Sequence, residues 1–402
     1  MLFQSRNLAP TSQLKKPSPH IASLDGLRGL AAYFVLLGHS IDFSFRFQSA
    51  NGVYGPFGPL AKQFAYFGMS LFFVLSGFVI TYNYAESFKE QRFHIALYRF
   101  FVARIARLYP LYALTIFLWW TQFQVSFAEH PGTLLAYLTM TASWFNVEQA
   151  VFPPAWSIST EFAFYFIFVL LAVPVATIQR FASVWFIATN ALLIVALLAI
   201  NEWFSTLTPY VNAVYTDQVV SAPQEYWFWY YNPMIRVAEF VIGVFACEVY
   251  LRSPPIISGV CKTLEIAAIV YCGMVIAIGA AGAMPFGRLE MNFKYAPALG
   301  ILLICTTSPN SIFGPVLRTP VAAIAGEISY SVYMWQMVIM AAMSHYFARI
   351  DDSFGAYVLS TIMILMIALV TTFVSYGSFH LFEKPLRFLI RNALLRKPQK
   401  TQ

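Results

Sequence analysis

Along the chain, apolar stretches of about twenty residues alternate with short polar connections, and about 20 apolar residues are what a helix needs to cross a hydrocarbon core of about 30 Å. The pattern predicts ten spans, near 24–45, 64–84, 108–126, 157–178, 182–203, 231–251, 263–283, 294–308, 321–346 and 356–382. Residues 133–148, TLLAYLTMTASWFNVE, are also apolar, but the stretch is short and rich in Thr and Ser. A re-entrant or buried helix is expected there instead of an eleventh crossing. The fold class that follows is an all-α integral membrane protein. Residues 21–390 would form its single transmembrane domain, between a flexible cytoplasmic N-terminus (1–20) and a basic cytoplasmic tail (391–402).

Composition agrees: of 402 residues, 59% are hydrophobic and 11% charged, against roughly 25% charged in soluble domains. No polar segment is long enough for a soluble domain of useful size; the longest are the first 20 residues, a loop at 204–230 and the basic stretch from Lys384. The net charge of +7 raises the question of nucleic acid, and its distribution answers it. With the N-terminus cytoplasmic, 18 of the 25 Lys and Arg residues fall inside and five outside, while Arg28 and Arg236 lie at or within spans. That is a positive-inside bias. The partner implied is a lipid bilayer, with no role for nucleic acid, and both termini are cytoplasmic. A full crossing at 133–148 would put the basic tail outside. The first span is followed by GHSIDFSF, which has no small-x-small cleavage pattern, so it is expected to be retained. Cys247, Cys261, Cys272 and Cys305 have no metal-ligand spacing and sit in or beside apolar runs, as packing thiols do. Aromatic span ends such as YWFWYYNP (226–233) suit the membrane–water interface.

A charge near the centre of a membrane helix costs about 2.5–3.5 kcal/mol on insertion scales, so it persists when paired, hydrated or useful. Such residues are few: Asp25, Arg28, His39 and Asp42 in the first span, Glu161 in the fourth, Arg236 and Glu239 in the sixth, and Glu327 in the ninth. Arg28 and His39 are separated by about 1,100° of helical rotation, three turns plus about 20°, and by a rise of about 16–17 Å. They fall on one face at different depths. An imidazole can take a proton from an attacking hydroxyl near neutral pH; the alternative is a histidine that bonds a neighbouring helix. The arginine on the same face favours the first reading, because it could hold an anionic group while the reacting end reaches His39.

The run YRFFVARIARLYPLY (98–112) brings in Arg99, Arg104 and Arg107, the last two three apart on one helix face. Guanidinium groups suit phosphates, but juxtamembrane arginines also simply fix topology, and spacing alone leaves both open. In FPPAWSISTEFAFYF (152–166), Ser157 follows Trp156 and is expected to cap a helix, with Glu161 about one turn inside and Tyr165 four residues further on. Glu161 is then hydrated at the interface, a partner for a sugar hydroxyl, or an orienter of His39. Arg236 and Glu239, three apart in RVAEFVIGVF, are expected to form an intrahelical ion pair. Glu327 and Tyr330, in GEISYSVYMWQ, are expected to line the same polar interior. Ser76 and Gly77, in FFVLSGFVI, favour close helix contact. A Walker-type loop, a Gly-x-Ser-x-Gly elbow and a His-Glu-x-x-His pattern are all missing, so no metal site and no permanently bound cofactor are expected. No internal repeat is evident, which weakens a transporter reading.

In order along the chain, SLDGLRGLAAYFVLLGHS, FFVLSGFVI, RFFVARIARLYPLY, PAWSISTEFAFY, RVAEFVIGVF, GEISYSVYMWQ and FEKPLRFL resemble the membrane acyltransferase-3 family from about residue 20 to 390. Members of that family acylate bacterial surface polysaccharides, lipopolysaccharide O-antigen, Nod factors and some antibiotics. The resemblance implies an acyl-coenzyme A donor, usually acetyl-coenzyme A, approached from the cytoplasm, a sugar hydroxyl as acceptor, and residence in the bacterial plasma (inner) membrane. It matches Arg28 and His39 to the family's essential arginine–histidine pair. Arg104 and Arg107 match its basic pair, and Glu161 matches the glutamate of its W-S-x-x-x-E stretch. Arg99 would join that pair in holding the coenzyme A phosphates. Asp25, Trp156, Ser157, Tyr165, Arg236, Glu239, Glu327 and Tyr330 would serve the acceptor or the polar interior around it. The extra hydrolase-like C-terminal domain of some members is not seen, so a stand-alone transferase is expected.

One position departs from the family pattern. Many relatives read Tyr-x-Trp-His in the ninth span, whereas YMWQ ends on Gln336. Glutamine hydrogen-bonds but takes no proton, which leaves the base role to His39. The expected activity is transfer of an acyl group, acetyl in the first instance, to a hydroxyl of a glycan such as exopolysaccharide or O-antigen. Acylation of a small secondary metabolite and non-enzymatic transport of a glycan or lipid are the rival readings.

Overall fold

The structure is a computed structural model that describes residues 20–48, 57–123, 131–144, 152–178, 227–252, 254–283, 293–347 and 356–395, with single helical positions at 195 and 199. The expected fifth span (182–203), most of the 204–230 loop, residues 1–19 and residues 396–402 lie outside the described residues. Of the described residues 91% are helical and none forms a strand. Among the described residues, four helical stretches, Gly58–Glu90, Phe93–Phe123, Gly259–Ala280 and Tyr357–Leu395, are long and apolar enough to cross a membrane.

The first helix, α1 (Ala22–Gln48), is not among those four, and its charges explain its place. A helix carrying Asp25, Arg28, His39 and Asp42 is poorly tolerated against lipid, and α1 is instead the centre of the bundle. Leu24, Leu27, Ala31, Ala32, Val35 and Leu36 are buried. On one side α1 packs against α2 (Gly58–Glu90). Small residues let those two backbones meet: a Cβ at Gly38 would lie 2.5 Å from the Ala61 carbonyl oxygen. The second helix in turn meets α6 (Pro233–Arg252) through reciprocal glycines. A Cβ at Gly77 would stand 2.0 Å from the Phe240 oxygen, and one at Gly243 1.9 Å from the Val74 oxygen.

α3 (Phe93–Phe123) begins fifteen residues before the expected boundary at 108. Arg99, Arg104 and Arg107 therefore sit within a helix, not in a connecting loop. Their long stems and flat guanidinium groups can bury against aromatic faces, which an average over hydropathy does not register. The expected short element is present as α4 (Pro131–Leu138) followed by a 3-10 turn at Ala142–Trp144. Eight residues rise only about 12 Å, too little to cross. Tyr112 donates its hydroxyl to the Tyr137 carbonyl at 2.8 Å, and Ser143 bonds Ser159 on the next helix, so the element packs inside the bundle. It ends with Met140 at φ 55° and the Thr141 N–H bonded to the Ala136 carbonyl at 2.8 Å, a Schellman stop.

α5 (Ala155–Ile178) follows. Asn232 caps α6 by accepting from the Met234 N–H at 2.9 Å, ahead of Pro233 at the first helical position. α7 (Pro254–Ala280), α8 (Ala296–Thr307) and the single turn α9 (Gly314–Leu317) come next. The expected ninth span is two helices, α10 (Pro320–Glu327) and α11 (Ser329–Phe347). The junction falls where Gly326 abuts α1, with a Cβ there only 2.2 Å from the Asp25 carbonyl oxygen. α12 (Ala356–Ser378) runs through one π turn, Phe379–Glu383, into α13 (Lys384–Leu395). Pro385, which lacks an N–H, follows that turn, as expected where a regular helical bond cannot form. α13 packs along α3, with the Tyr98 hydroxyl donating to the Leu394 carbonyl at 2.9 Å. The expected tail boundary at 391 therefore lies inside a helix.

The α2–α6 contact predicts a clear mutational contrast. Gly243→Val should destabilise the protein by about 1–3 kcal/mol or more. Gly273→Ala on α7, where a Cβ meets nothing within 4 Å, should be neutral or stabilising by up to about 1 kcal/mol. Thermal unfolding of the detergent-solubilised protein reads both.

Candidate active site

Three cavities lie in series beside α1. The first, of about 810 Å³, is a charged vestibule lined by Asp25, Arg28, Arg107, Glu327, Tyr330, Glu383, Lys384 and Arg387. The second, of about 670 Å³, is lined by Arg28, Arg104, Arg107, Ser157, Glu161, Tyr330 and Tyr333. The third, of about 840 Å³, holds His39 with Asp42, Lys62, Tyr66, Trp156, Tyr230, Tyr231 and Tyr333. Arg28, Arg107 and Tyr330 belong to both the first and the second. Met69 and Tyr333 belong to both the second and the third. Arg28 and His39 thus both face the interior, at different depths, as their helical spacing predicts. They open into different chambers, with Met69 and Tyr333 at the joint.

At the near end Arg28 is tied to Asp25, one turn back on α1, at 3.0 Å, and Asp25 also contacts His20. Arg104 is buried. It donates to the Tyr84 hydroxyl at 2.9 Å and stacks over the Tyr84 ring at 4.7 Å, while its Nε–H has no hydrogen-bond partner among the described residues. Arg107, one turn further on, stands between vestibule and central chamber. Arg99 is not brought to this place: it donates to Gln91 at 3.1 Å, away from the three cavity walls.

α5 supplies the opposite wall. The helix starts at Ala155, so Ser157 lies inside it and is not its cap. The Ser157 hydroxyl is 3.0 Å from the Pro154 carbonyl and 2.6 Å from the Tyr333 hydroxyl. Glu161 accepts from Tyr165, four residues on along the same face, at 2.8 Å, and faces the central chamber. It is not the partner of His39. That partner is Gln336 on α11, whose Oε1 is 3.3 Å from His39 Nδ1. Tyr330 lines two chambers and donates to the Leu108 carbonyl at 2.6 Å. Glu327 is exposed at the vestibule.

Arg236 and Glu239 form the expected ion pair at 2.9 Å, fully buried. Arg236 lies 4.9 Å from the Phe73 ring centroid and 5.3 Å from that of Tyr230, and Ser70 donates to Glu239. Neither charge lines any of the three cavities. They fasten α6 to α2 behind the chambers, while Trp156 separates the pair from the His39 chamber with its indole face. Among the described residues no group of three His, Cys, Asp or Glu side chains is placed to hold a metal ion, and the four cysteines are buried thiols.

Residues 21–378 match the acyltransferase-3 family profile, described as an acyltransferase domain. The chain belongs to that family. This acyltransferase is similar to "Acyltransferase MdmB" of Streptomyces mycarofaciens, 26% identical over 342 residues that cover 80% of this chain and 79% of that protein. It is also similar to "Putative peptidoglycan O-acetyltransferase YrhL" of Bacillus subtilis (strain 168), 23% identical over 391 residues. That match covers 92% of this chain and 55% of the relative's length. No solved structure matches.

Several residues of the acyltransferase's cavities escape a reading of isolated motifs: Lys384, Arg387, Glu383 and Tyr333. The signal was present for three of them, because FEKPLRFL carries a glutamate, a lysine and an arginine at the end of the last apolar run. Glu383 is buried against Ser331, so it returns toward the bundle instead of pointing to solvent.

The placement of the buried pair separates stability from binding. Arg236→Ala should lower stability by about 3–5 kcal/mol, since it strands a buried carboxylate. The double variant with Glu239→Leu should recover part of that loss. Chemical denaturation of the two variants beside the wild type checks the sign.

Proposed function

We propose that this membrane acyltransferase transfers an acetyl or longer acyl group from acyl-coenzyme A to a hydroxyl of a cell-surface glycan. The observation that carries the reading is the succession of chambers: arginines at the first joint, an imidazole in the last. A donor with charged phosphates and a neutral acyl end suits that gradient. Its phosphates would sit at the vestibule on Arg107, Lys384 and Arg387, with Arg28 and Arg104 further in; Arg99, turned to Gln91, stands apart from this set. The helical rise of about 16–17 Å between Arg28 and His39 is comparable with the reach of a pantetheine arm.

In the reaction, a sugar hydroxyl entering the third chamber attacks the thioester carbonyl as His39 takes its proton. The tetrahedral intermediate collapses with cleavage of the C–S bond, and the imidazolium returns a proton to the departing thiolate. The products are the O-acyl sugar and free coenzyme A. General-base assistance of this kind contributes about 10²–10⁴ in rate. Glu161 and Ser157 hold the wall past which the arm threads. The glycan acceptor is supported by the name of the Bacillus relative. The charge bias over the predicted connections supports a bacterial inner-membrane protein with ten crossings and the basic vestibule toward the cytoplasm.

Two variants test the division of labour, with acetyl-coenzyme A as donor and isolated peptidoglycan glycan strands as acceptor. His39→Ala should lower transfer by about 10²–10⁴-fold while coenzyme A still raises the thermal midpoint. Retained turnover would remove His39 as the base. Arg104→Ala with Arg107→Ala should weaken coenzyme A binding about tenfold or more, the loss of one or two charge-assisted bonds. Unchanged calorimetric affinity would return both arginines to a purely structural role.

A further inference from the structure

Resting on the reading of His39 as the base, we propose that Gln336 is its positioning residue. It holds the ring in the tautomer protonated at Nδ1 and leaves the Nε2 lone pair for the acceptor hydroxyl.

The orientation of the Gln336 amide is the key. Gln336 is buried on α11, and its Nε2 donates to the Tyr333 carbonyl one turn back at 3.0 Å. Turning the amide over would set its oxygen against that carbonyl oxygen, two acceptors with no proton between them. The amide oxygen therefore faces His39, at 3.3 Å from Nδ1. An amide oxygen only accepts, so Nδ1 carries the proton, and in a neutral imidazole the other nitrogen is then the acceptor.

Among the described residues Gln336 is the hydrogen-bond partner of this ring. The bond is also the amide's link to another helix, because its N–H stays on its own helix. A purely packing side chain at this buried position needs no amide. In hydrolytic triads a carboxylate does the corresponding work, and a wrongly protonated imidazole in an otherwise intact site lowers kcat by about 10⁴. Gln336 orients without adding a charge to the chamber. A neutral orienter also avoids stabilising the imidazolium before the hydroxyl attacks.

The test is ¹⁵N NMR of the full-length protein labelled at histidine, in nanodiscs near neutral pH, with the His39 signals assigned through His39→Ala. The wild-type ring should be protonated at Nδ1. Gln336→Met, of similar length but without the acceptor, should move the ring toward the Nε2-protonated form. Its kcat for acetyl-coenzyme A turnover should fall about 10²-fold, with the donor KM unchanged. Gln336→Glu keeps an acceptor and should keep the Nδ1-protonated signature.

A wild-type ring protonated at Nε2 would overturn the role of Gln336, and that spectrum needs no variant to fold. So would Gln336→Met with unaltered tautomer and kcat. Full turnover by His39→Ala would instead overturn the base itself, so the two failures are distinguishable.

Discussion

The charges of α1 are the constraint on which the rest of this acyltransferase depends. Desolvating a carboxylate, a guanidinium and an imidazole in lipid is costly, and the fold meets that cost by placing α1 at the centre. Its neighbours must then come close enough to exclude lipid yet leave room for polar groups. Glycines at the α1–α2 and α2–α6 crossings bring the backbones together, while longer side chains hold the bundle open beside Arg28 and His39. The outer surface is inverted relative to a soluble protein: Leu365, Leu369 and Phe373 of α12 are all exposed.

Polar groups inside are partnered in three distinct ways. Arg236 and Glu239 neutralise each other within one turn. Glu265 of α7 accepts from Ser311 and from the Ile312 and Phe313 N–H groups, pinning the turn before α9. Around the chambers the charged groups keep one side open: Arg28 and Arg104 line the central chamber, and Arg107 spans two cavities, whereas Arg236 and Glu239 line none of the three. That difference separates the structural charges from those open to a ligand. Burial alone does not, since Arg236 is more deeply buried than Arg104.

Much of the skeleton was legible in the sequence. Spacing of eleven residues fixes a shared helical face, so Arg28 and His39 both turn inward; spacing of three predicts the Arg236–Glu239 pair, and spacing of four puts Tyr165 and Glu161 on one face. A short apolar stretch broken by Thr and Ser gave the non-crossing α4. Hydropathy averages began the third span fifteen residues after α3 starts, because arginines count as polar wherever they lie, including Arg104, which stacks on Tyr84. They also hid the break between α10 and α11, which falls beside Gly326 where that glycine packs against Asp25 of α1. Ser157 resembles a cap by residue type, but the helix begins two residues earlier and its hydroxyl joins Tyr333.

The sequence by itself determined which segments are apolar helices, which of them carry charge, and which residues share a helical face, because these follow from local spacing and composition. Only the tertiary structure decided that α13 packs along α3 with Lys384 and Arg387 at the vestibule, and that Tyr333 divides two chambers. It also decided that Gln336, 297 residues from His39 along the chain, meets its ring. Those pairings are made by helix crossings, and a crossing depends on what two distant surfaces can bury together, which neither segment encodes alone.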